Sequence, residues 1–228
     1  MNYKKSLWVA GLLLSLNAIP AQATLIDRGN GMIYDSAQNI TWLQDANYAK
    51  TSGYDSDGLM NWNNATVWAA GLVYQGYDDW RLPTITDTGP SGCNFANSGT
   101  DCGYNVDTSS SELAHLFFID LNNLSGVNEA GFFRGGNSGV NFGLVNNGPF
   151  SNLQNFRYWL DSEYAPNTNL AWYFNNSYGF QSPFGKGNEY FAWAVRSGDV
   201  APPANIPEPG SLALLGLGLI ALRRAKRR

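Results

Sequence analysis

The side chains that most often carry out chemistry are few in this 228-residue sequence. It contains one histidine, His115, and two cysteines, Cys93 and Cys102. A histidine acts as a general base beside a suitable nucleophile, and the sequence around His115 offers no recognisable one. His115 lies among apolar residues of a predicted helix, which favours a structural role. Two thiolates without further spaced His or Cys residues cannot complete a tetrahedral metal site, so no metal or other cofactor is predicted.

Carboxylates are the only abundant reactive class, and they leave two alternatives open. Asp55 and Asp57 alternate in one loop and could offer oxygen ligands to calcium, but the spacing of an EF-hand loop and its closing Glu are missing. Two carboxylates facing each other across a cleft, roughly 5 to 10 Å apart, would make the protein a glycan-processing enzyme. Because no such pair stands out in the sequence, we predict a protein without catalytic residues.

The charge distribution argues against nucleic acid as a partner. Seven of the 14 Lys and Arg residues lie at the two chain ends, as a pair near the start and as five of the last six residues. The segment between them carries 7 basic residues against all 18 acidic ones, a net charge of −11. Such an acidic body would repel phosphate groups. The composition, 14% aromatic and 14% charged, favours an aromatic-rich globular domain.

The N-terminal end has the pattern of a secretory signal peptide. A basic pair precedes an apolar stretch over residues 7–19, and the small residues Ala21 and Ala23 supply a site for signal peptidase. We expect residues 1–23 to form the signal helix and to be removed after Ala23. An exported chain enters an oxidising compartment, where the two cysteines are predicted to close a short loop as a disulfide.

The C-terminal end has three parts in order. A Pro-rich linker over residues 200–209 ends in Pro207, Glu208 and Pro209, and residues 210–228 hold an apolar stretch and a basic tail. As a helix, the apolar stretch is shorter than the ~30 Å hydrocarbon core of a bilayer, so alone it is a weak membrane anchor. The basic tail orients this short membrane helix with the body outside and the tail in the cytoplasm.

This order closely resembles the PEP-CTERM sorting signal, found in Gram-negative bacteria that make exopolysaccharide. The resemblance implies that the chain is a substrate of an exosortase, a membrane-embedded cysteine protease, and that it is cleaved near the Pro-Glu-Pro motif. The expected destination is the cell envelope or the extracellular matrix of a biofilm, after transient anchoring by the C-terminal helix. A plain C-terminal membrane anchor is the alternative.

Residues 24–199 are predicted to form one α+β domain with antiparallel strands and two main helices. An early β-hairpin is indicated by residues that alternate on both sides of a polar turn, namely Met32, Tyr34, Ile40 and Trp42. Later strands are predicted from short aromatic runs between turn residues, at 158–160, 170–174 and 190–195. We expect the late strands to pair with the hairpin, which would bring the two ends of the domain together.

Both helices are marked by apolar residues at steps of three and four. The first is predicted after Asn61, with Trp62, Ala65, Ala69 and Leu72 on one face. The second follows Ser109 and Glu112, which are spaced as a capping box, and its apolar face is formed by Leu113, Leu116, Phe117 and Leu121. The Gly- and Asn-rich segment 135–148 is predicted to be a long surface loop.

Several motifs occur in one order through this domain. They are Trp80, Arg81, Leu82 and Pro83 in one turn, then Trp159, then Trp172, and last Trp193 with Arg196. Together they resemble the Lcl C-terminal domain family, which is similar to the C-type-lectin-like fold and to formylglycine-generating enzymes. The resemblance implies a lectin-like domain. Formylglycine-generating enzymes use two cysteines near the domain end, whereas both cysteines here lie just after Pro83, which argues against that activity.

Arg81 and Arg196 are scarce cations in an acidic domain, and we predict that they form structural ion pairs with Asp78, Asp79 or Glu163. Most of the 8 tryptophans must be core residues, although exposed Trp and Tyr rings could stack on sugars. The sequence therefore predicts an exported, noncatalytic envelope or matrix protein that contacts exopolysaccharide or another surface component. Signal peptidase and exosortase are its expected partners during export.

Overall fold

A computed structural model of the protein describes residues 25–88, 97–135 and 139–200. The predicted signal helix, its cleavage site at Ala21 and Ala23, and the C-terminal membrane helix lie outside these residues. So do the Pro-Glu-Pro motif and Cys93. In the described ranges the chain is rich in sheet and contains few helices, which confirms an α+β class at the level of secondary structure.

The first sheet joins the two ends of the domain. Its four strands, in order across the sheet, are β1 (Leu25–Asp27), β2 (Met32–Asp35), β3 (Ile40–Leu43) and β10 (Val195–Ser197), all antiparallel. The predicted hairpin is formed by β2 and β3. Val195 lies opposite Trp42, so the predicted pairing of a late strand with the hairpin is also confirmed. Arg28 binds Asp199 through two hydrogen bonds, at 2.9 and 2.5 Å, and the domain ends therefore meet.

The second sheet contains most of the aromatic strands. They are β4 (Leu59–Met60), β5 (Gly103–Tyr104), β6 (Arg157–Glu163), β7 (Leu170–Asn175), β8 (Phe180–Gly185) and β9 (Tyr190–Phe191). Their order across the sheet is β4-β9-β6-β7-β8-β5. β6 and β9 run parallel, so the prediction of purely antiparallel strands is wrong at this pair. The predicted strand over 190–195 divides between the two sheets, because residues 192–194 cross from one to the other.

The strand β8 was not predicted from the sequence, and it contains Pro183. A proline cannot donate a hydrogen bond to a neighbouring strand, so it is tolerated where one side of a strand is open. β8 pairs with β7 along its whole length but with β5 only at Phe180 and Gln181. Pro183 therefore lies beyond the end of β5, where the described part of the sheet has no further strand on that side.

Within the described ranges, three helices complete the fold: α1 (Tyr48–Thr51), α2 (Trp62–Ala70) and α3 (Glu112–His115), which continues as a wider π-helical turn over Leu116–Asp120. α2 begins as predicted after Asn61, whose side chain caps its first turn. The predicted capping box at Ser109 is wrong. Ser111 is the N-cap and accepts a hydrogen bond from Ala114 N, while Ser109 is held in the preceding turn by Asp107.

Aromatic side chains bind the two sheets into one core. The ring centroids of Trp42 and Trp193 are 4.7 Å apart, and those of Phe150 and Trp193 are 4.8 Å apart. Trp193 Nε1 also donates a hydrogen bond of 2.7 Å to the carbonyl of Leu43. Trp193 belongs to the segment that crosses between the sheets, so it holds them together through both ring packing and a buried hydrogen bond.

The described part of the segment 135–148 is anchored more firmly than a free surface loop. Gly143 pairs with Leu124, and the ring of Phe142 stacks on Tyr178 with 6.0 Å between centroids. Gly143 has a φ of +73°, and a Cβ there would lie 2.4 Å from a backbone oxygen. The close approach of two backbones explains why a glycine is needed at this position.

Candidate functional site

The motif tryptophans belong to the core. All four are at most 3% exposed, namely Trp80, Trp159, Trp172 and Trp193, and Leu82 and Pro83 beside Trp80 are buried as well. Their polar atoms are used internally: the Trp159 indole donates a hydrogen bond of 2.8 Å to the carbonyl of Met60. These rings cannot reach a ligand in solution. This agrees with the expectation that most tryptophans are core residues.

Arg196 binds Asp79, which is one of its predicted partners. Two hydrogen bonds, at 2.7 and 2.9 Å, join the guanidinium to the carboxylate. The guanidinium also lies over the Tyr77 ring, 4.1 Å from its centroid. These hydrogen bonds are the main reason why the pKa of Asp79 lies below its ordinary value. The pair therefore has the geometry of a structural contact.

Arg81 binds Glu112, a partner that was not predicted from the sequence. The two hydrogen bonds measure 2.7 and 2.8 Å, and the same carboxylate accepts a third, of 2.7 Å, from Thr84 N. The predictions of Asp78 and Glu163 are wrong for both arginines, and Glu163 binds a lysine instead. Glu112 lies 31 residues from Arg81, so the pair depends on where α3 packs and not on any local pattern.

The Asp55 and Asp57 carboxylates serve the backbone of their own loop. Asp55 Oδ1 accepts hydrogen bonds from Asp57 N and Gly58 N, at 3.1 and 2.8 Å, and Asp57 Oδ1 accepts one from Leu59 N at 3.0 Å. Such contacts are typical of Asx turns. Across the described ranges, no three His, Cys, Asp or Glu side chains are grouped in a way that could hold a metal ion.

A buried group of titratable side chains lies where α3 meets the hairpin. Asp35 is fully buried and accepts hydrogen bonds from Ala37 N and from both nitrogens of Gln38. The Asp120 side chain is 2% exposed, and His115 Nε2 lies 3.7 Å from its Oδ2. Burial, with the neighbouring Asp35 carboxylate, raises the pKa of Asp120 to about 7. The Asp120 carboxyl is shielded from solvent, so Asp35 and Asp120 do not face each other across an open cleft.

One face of the second sheet brings a cation and several aromatic rings together. Trp159 lies opposite Tyr173 on the neighbouring strand, and Tyr173 lies opposite Ser182 on the next. Since side chains alternate along a strand, Arg157 shares the face of Trp159, and Phe184 shares the face of Ser182. This register places side chains from three adjacent strands on one surface.

Arg157 lies in the middle of these rings. Its guanidinium carbon is 5.5 Å from the ring centroids of Phe156 and Tyr173 and 5.2 Å from that of Tyr190. These distances are typical of cation–π contacts. Its Nη1 donates a long hydrogen bond of 3.4 Å to the Tyr190 hydroxyl. The five residues Phe156, Arg157, Tyr173, Phe184 and Tyr190 are called the Arg157 face below.

The Arg157 face has solvent-exposed rings at its rim and buried rings at its base. Phe184 is 47% exposed and Phe156 is 40% exposed, whereas Tyr173 and Tyr190 are 6% and 3% exposed. Burial raises the pKa of both tyrosine hydroxyls above the ordinary value, so they stay neutral at physiological pH. The face therefore offers two exposed rings around a partly buried positive charge.

The Arg157 face was not predicted from the sequence. Alternation of Arg157 with Trp159 was visible in the printed sequence, and so was alternation of Ser182 with Phe184. The second pattern was obscured by Pro183, which argues against a strand when only local rules are applied. The register that joins β6, β7 and β8 is set by tertiary packing and is not visible in the sequence.

The comparisons with known proteins concern the chain's C-terminal end. Residues 205–228 match the PEP-CTERM protein-sorting motif. The matched segment contains Pro207, Glu208 and Pro209, the apolar stretch and the basic tail, so the predicted sorting signal is confirmed. A sorting motif of this type indicates an exported protein that is handled by an exosortase.

The comparisons give no match that covers the domain itself. No curated protein and no solved structure matches the chain, so the resemblance to Lcl C-terminal domains rests on the sequence motifs alone. Within the part of the chain that the structure describes, no helix is long and apolar enough to cross a membrane. Cys102 is fully buried and is not a free thiol, but Cys93 lies outside the described residues and the Cys93–Cys102 disulfide stays a prediction.

Proposed function

We propose that the protein is sorted by an exosortase to the cell envelope or extracellular matrix, where its domain binds exopolysaccharide without catalysis. The observation that carries the proposal is the sorting motif at residues 205–228. Exosortase sorting occurs in bacteria that make exopolysaccharide, so this polymer is present where the sorted protein is delivered. The C-type-lectin-like character of the domain is part of the same proposal and is supported by its motifs.

The Arg157 face supports polysaccharide as the ligand. Exposed aromatic rings offer flat apolar surfaces on which the C–H side of a sugar ring can lie, and nearby polar groups fix its orientation. Phe156 and Phe184 supply exposed rings, while Arg157 and the Tyr190 hydroxyl supply polar atoms. The face spans adjacent strands of a sheet, which is a rigid support for contacts with an extended polymer.

A binding role without catalysis is supported by the position of the carboxylates. A glycosidase needs two carboxyl groups that reach the substrate from either side. Asp35 and Asp120 are close to each other, but they are buried beside α3 and not at the Arg157 face. Glu112, the carboxylate of the Arg81 turn, is fully engaged by Arg81 and Thr84. We therefore favour binding over the alternative of a glycan-processing enzyme.

Export and processing lead to a direct prediction about the mature chain. Protein recovered from the cell surface should lack residues 1–23 and everything after the region of Pro207, Glu208 and Pro209. The reason is that signal peptidase and exosortase each remove one end. Mass spectrometry of the surface-exposed form measures both boundaries. Recovery of basic C-terminal peptides from that form would show that the segment acts only as a membrane anchor.

Polysaccharide binding is tested by removing the two exposed rings. We expect full-length protein with Phe156→Ser and Phe184→Ser to bind the exopolysaccharide of the producing strain about tenfold more weakly than wild type. Phe132→Ser is the matched control, because Phe132 is 71% exposed and does not belong to the Arg157 face. Equal affinities for all three proteins, measured by biolayer interferometry, would refute a role for the face.

A further inference from the structure

The basic residues of the domain differ in whether they form an ion pair with a carboxylate. Seven basic residues lie between the two chain ends. Four of them form ion pairs with carboxylates, namely Arg28, Arg81, Lys186 and Arg196. Arg157 does not: among the described residues no carboxylate lies within 4.0 Å of it. Every acidic residue of the domain lies in the described ranges, so none of these residues forms an ion pair with Arg157.

The surroundings of Arg157 keep its positive charge available. Its neighbours are three aromatic rings, which attract the guanidinium without neutralising it. Its Nε is buried without a hydrogen-bond partner, and its Nη1 has only the 3.4 Å contact with Tyr190. A guanidinium has five N–H donors, so most of its hydrogen-bonding capacity is unused. The rings also restrict its motion, which lowers the entropy lost when an acceptor binds.

We propose that the Arg157 face selects acidic sugars and binds the carboxylate of a uronic acid residue through Arg157. This inference rests on the proposed polysaccharide-binding function and names its ligand class. The planar guanidinium matches a carboxylate with two parallel hydrogen bonds. Phe156 and Phe184 lie at the rim, where they contact the apolar side of the sugar that carries the carboxylate. The domain carries far more acidic than basic residues, so Arg157 offers a local positive charge on a molecule that otherwise repels polyanions.

A pair of ligands that share one sugar backbone but differ in charge tests the inference. The probes are oligogalacturonate and its methyl ester, which have the same sugar rings and linkages. We expect full-length wild-type protein to bind the acid form about ten- to a hundredfold more tightly, the range of one charge-assisted contact. Arg157→Gln should bind the acid form and the ester with equal affinity. Arg157→Lys should keep part of the preference.

The controls separate this inference from the proposed function. Lys50→Gln removes an equal charge at an exposed residue outside the face and should keep the preference. Equal binding of the two probes by wild type, or a preference that survives in Arg157→Gln, would overturn the inference and leave the proposed function standing. Failure to bind these probes and the exopolysaccharide of the producing strain would overturn both. If Arg157→Gln does not fold, comparison of the two probes on wild type and Arg157→Lys decides the question.

Discussion

We expect the Glu112→Gln variant to lose about 3 kcal/mol of unfolding free energy. The Glu112 carboxylate accepts three hydrogen bonds of 2.7 to 2.8 Å, two from Arg81 and one from Thr84 N. Glutamine has nearly the same shape but no charge, so Arg81 becomes a partly buried cation that has lost its hydrogen-bonded counter-ion. Breaking a buried ion pair costs roughly 3 to 5 kcal/mol. The Arg81 and Glu112 side chains are 29% and 14% exposed, which places the loss at the lower end.

A second ion pair provides the control for this prediction. Glu163 pairs with Lys186, and its side chain is 45% exposed. Exposed pairs contribute about 1 kcal/mol or less, so Glu163→Gln should change the unfolding free energy little. Urea denaturation of the exported protein, followed by tryptophan fluorescence, measures both variants. Equal losses for the two would mean that the Arg81 turn is no more important to the fold than a surface contact.

We also expect Asp120→Asn to change how stability depends on pH. The pKa of Asp120 is about 7 in the folded protein, because of burial and then the Asp35 carboxylate, against 3.8 ordinarily. Between these two values the folded state binds the proton more tightly than the unfolded state. Stability from this group is therefore complete below pH 4 and is lost as the pH rises through 7. At 1.36 kcal/mol per pKa unit, the loss between pH 5 and pH 8 is about 2 to 3 kcal/mol.

The asparagine variant cannot ionise, so its unfolding free energy should lack this loss. The difference between wild type and Asp120→Asn separates the Asp120–Asp35 pair from the carboxylates that do not interact with it, because those are the same in both proteins. Because His115 lies 3.7 Å from Asp120, the comparison is repeated with His115→Gln in both proteins. Parallel stability curves from pH 5 to pH 8 would show that the Asp120 carboxyl is not protonated in the folded state.

The features that sequence could predict are those fixed by near neighbours. The hairpin of β2 and β3 follows from alternation on both sides of a turn, and α2 follows from helical spacing after Asn61. The meeting of the chain ends was predicted from the need to bury aromatic strands, and Val195 lies opposite Trp42 as a result. For the hairpin and α2, the determining residues are near neighbours in the sequence. For the meeting of the chain ends, the need to bury aromatic side chains leaves few possible arrangements.

The features that sequence could not predict depend on distant parts of the chain. Glu112 reaches Arg81 only because α3 packs beside the Arg-Leu-Pro turn. The N-cap at Ser111 instead of Ser109 could not be predicted either, since neighbouring serines near a helix start are equivalent in local terms. Arg157 gains its aromatic neighbours from β7 and β9, which lie more than a dozen residues away. Which cation lacks a carboxylate partner therefore depends on the tertiary structure, and the composition alone cannot identify that residue.

Hydroxyl-radical footprinting of the full-length protein, with and without the exopolysaccharide of the producing strain, tests the central claim most directly. The method reports how strongly each exposed aromatic ring is oxidised. If polysaccharide lies on the Arg157 face, oxidation of Phe156 and Phe184 should fall several-fold on binding, while oxidation of Phe132 stays unchanged. Protection of Phe132 instead, or unchanged oxidation of Phe156 and Phe184 under conditions in which the polymer is bound, would contradict the assignment of this face as the binding site.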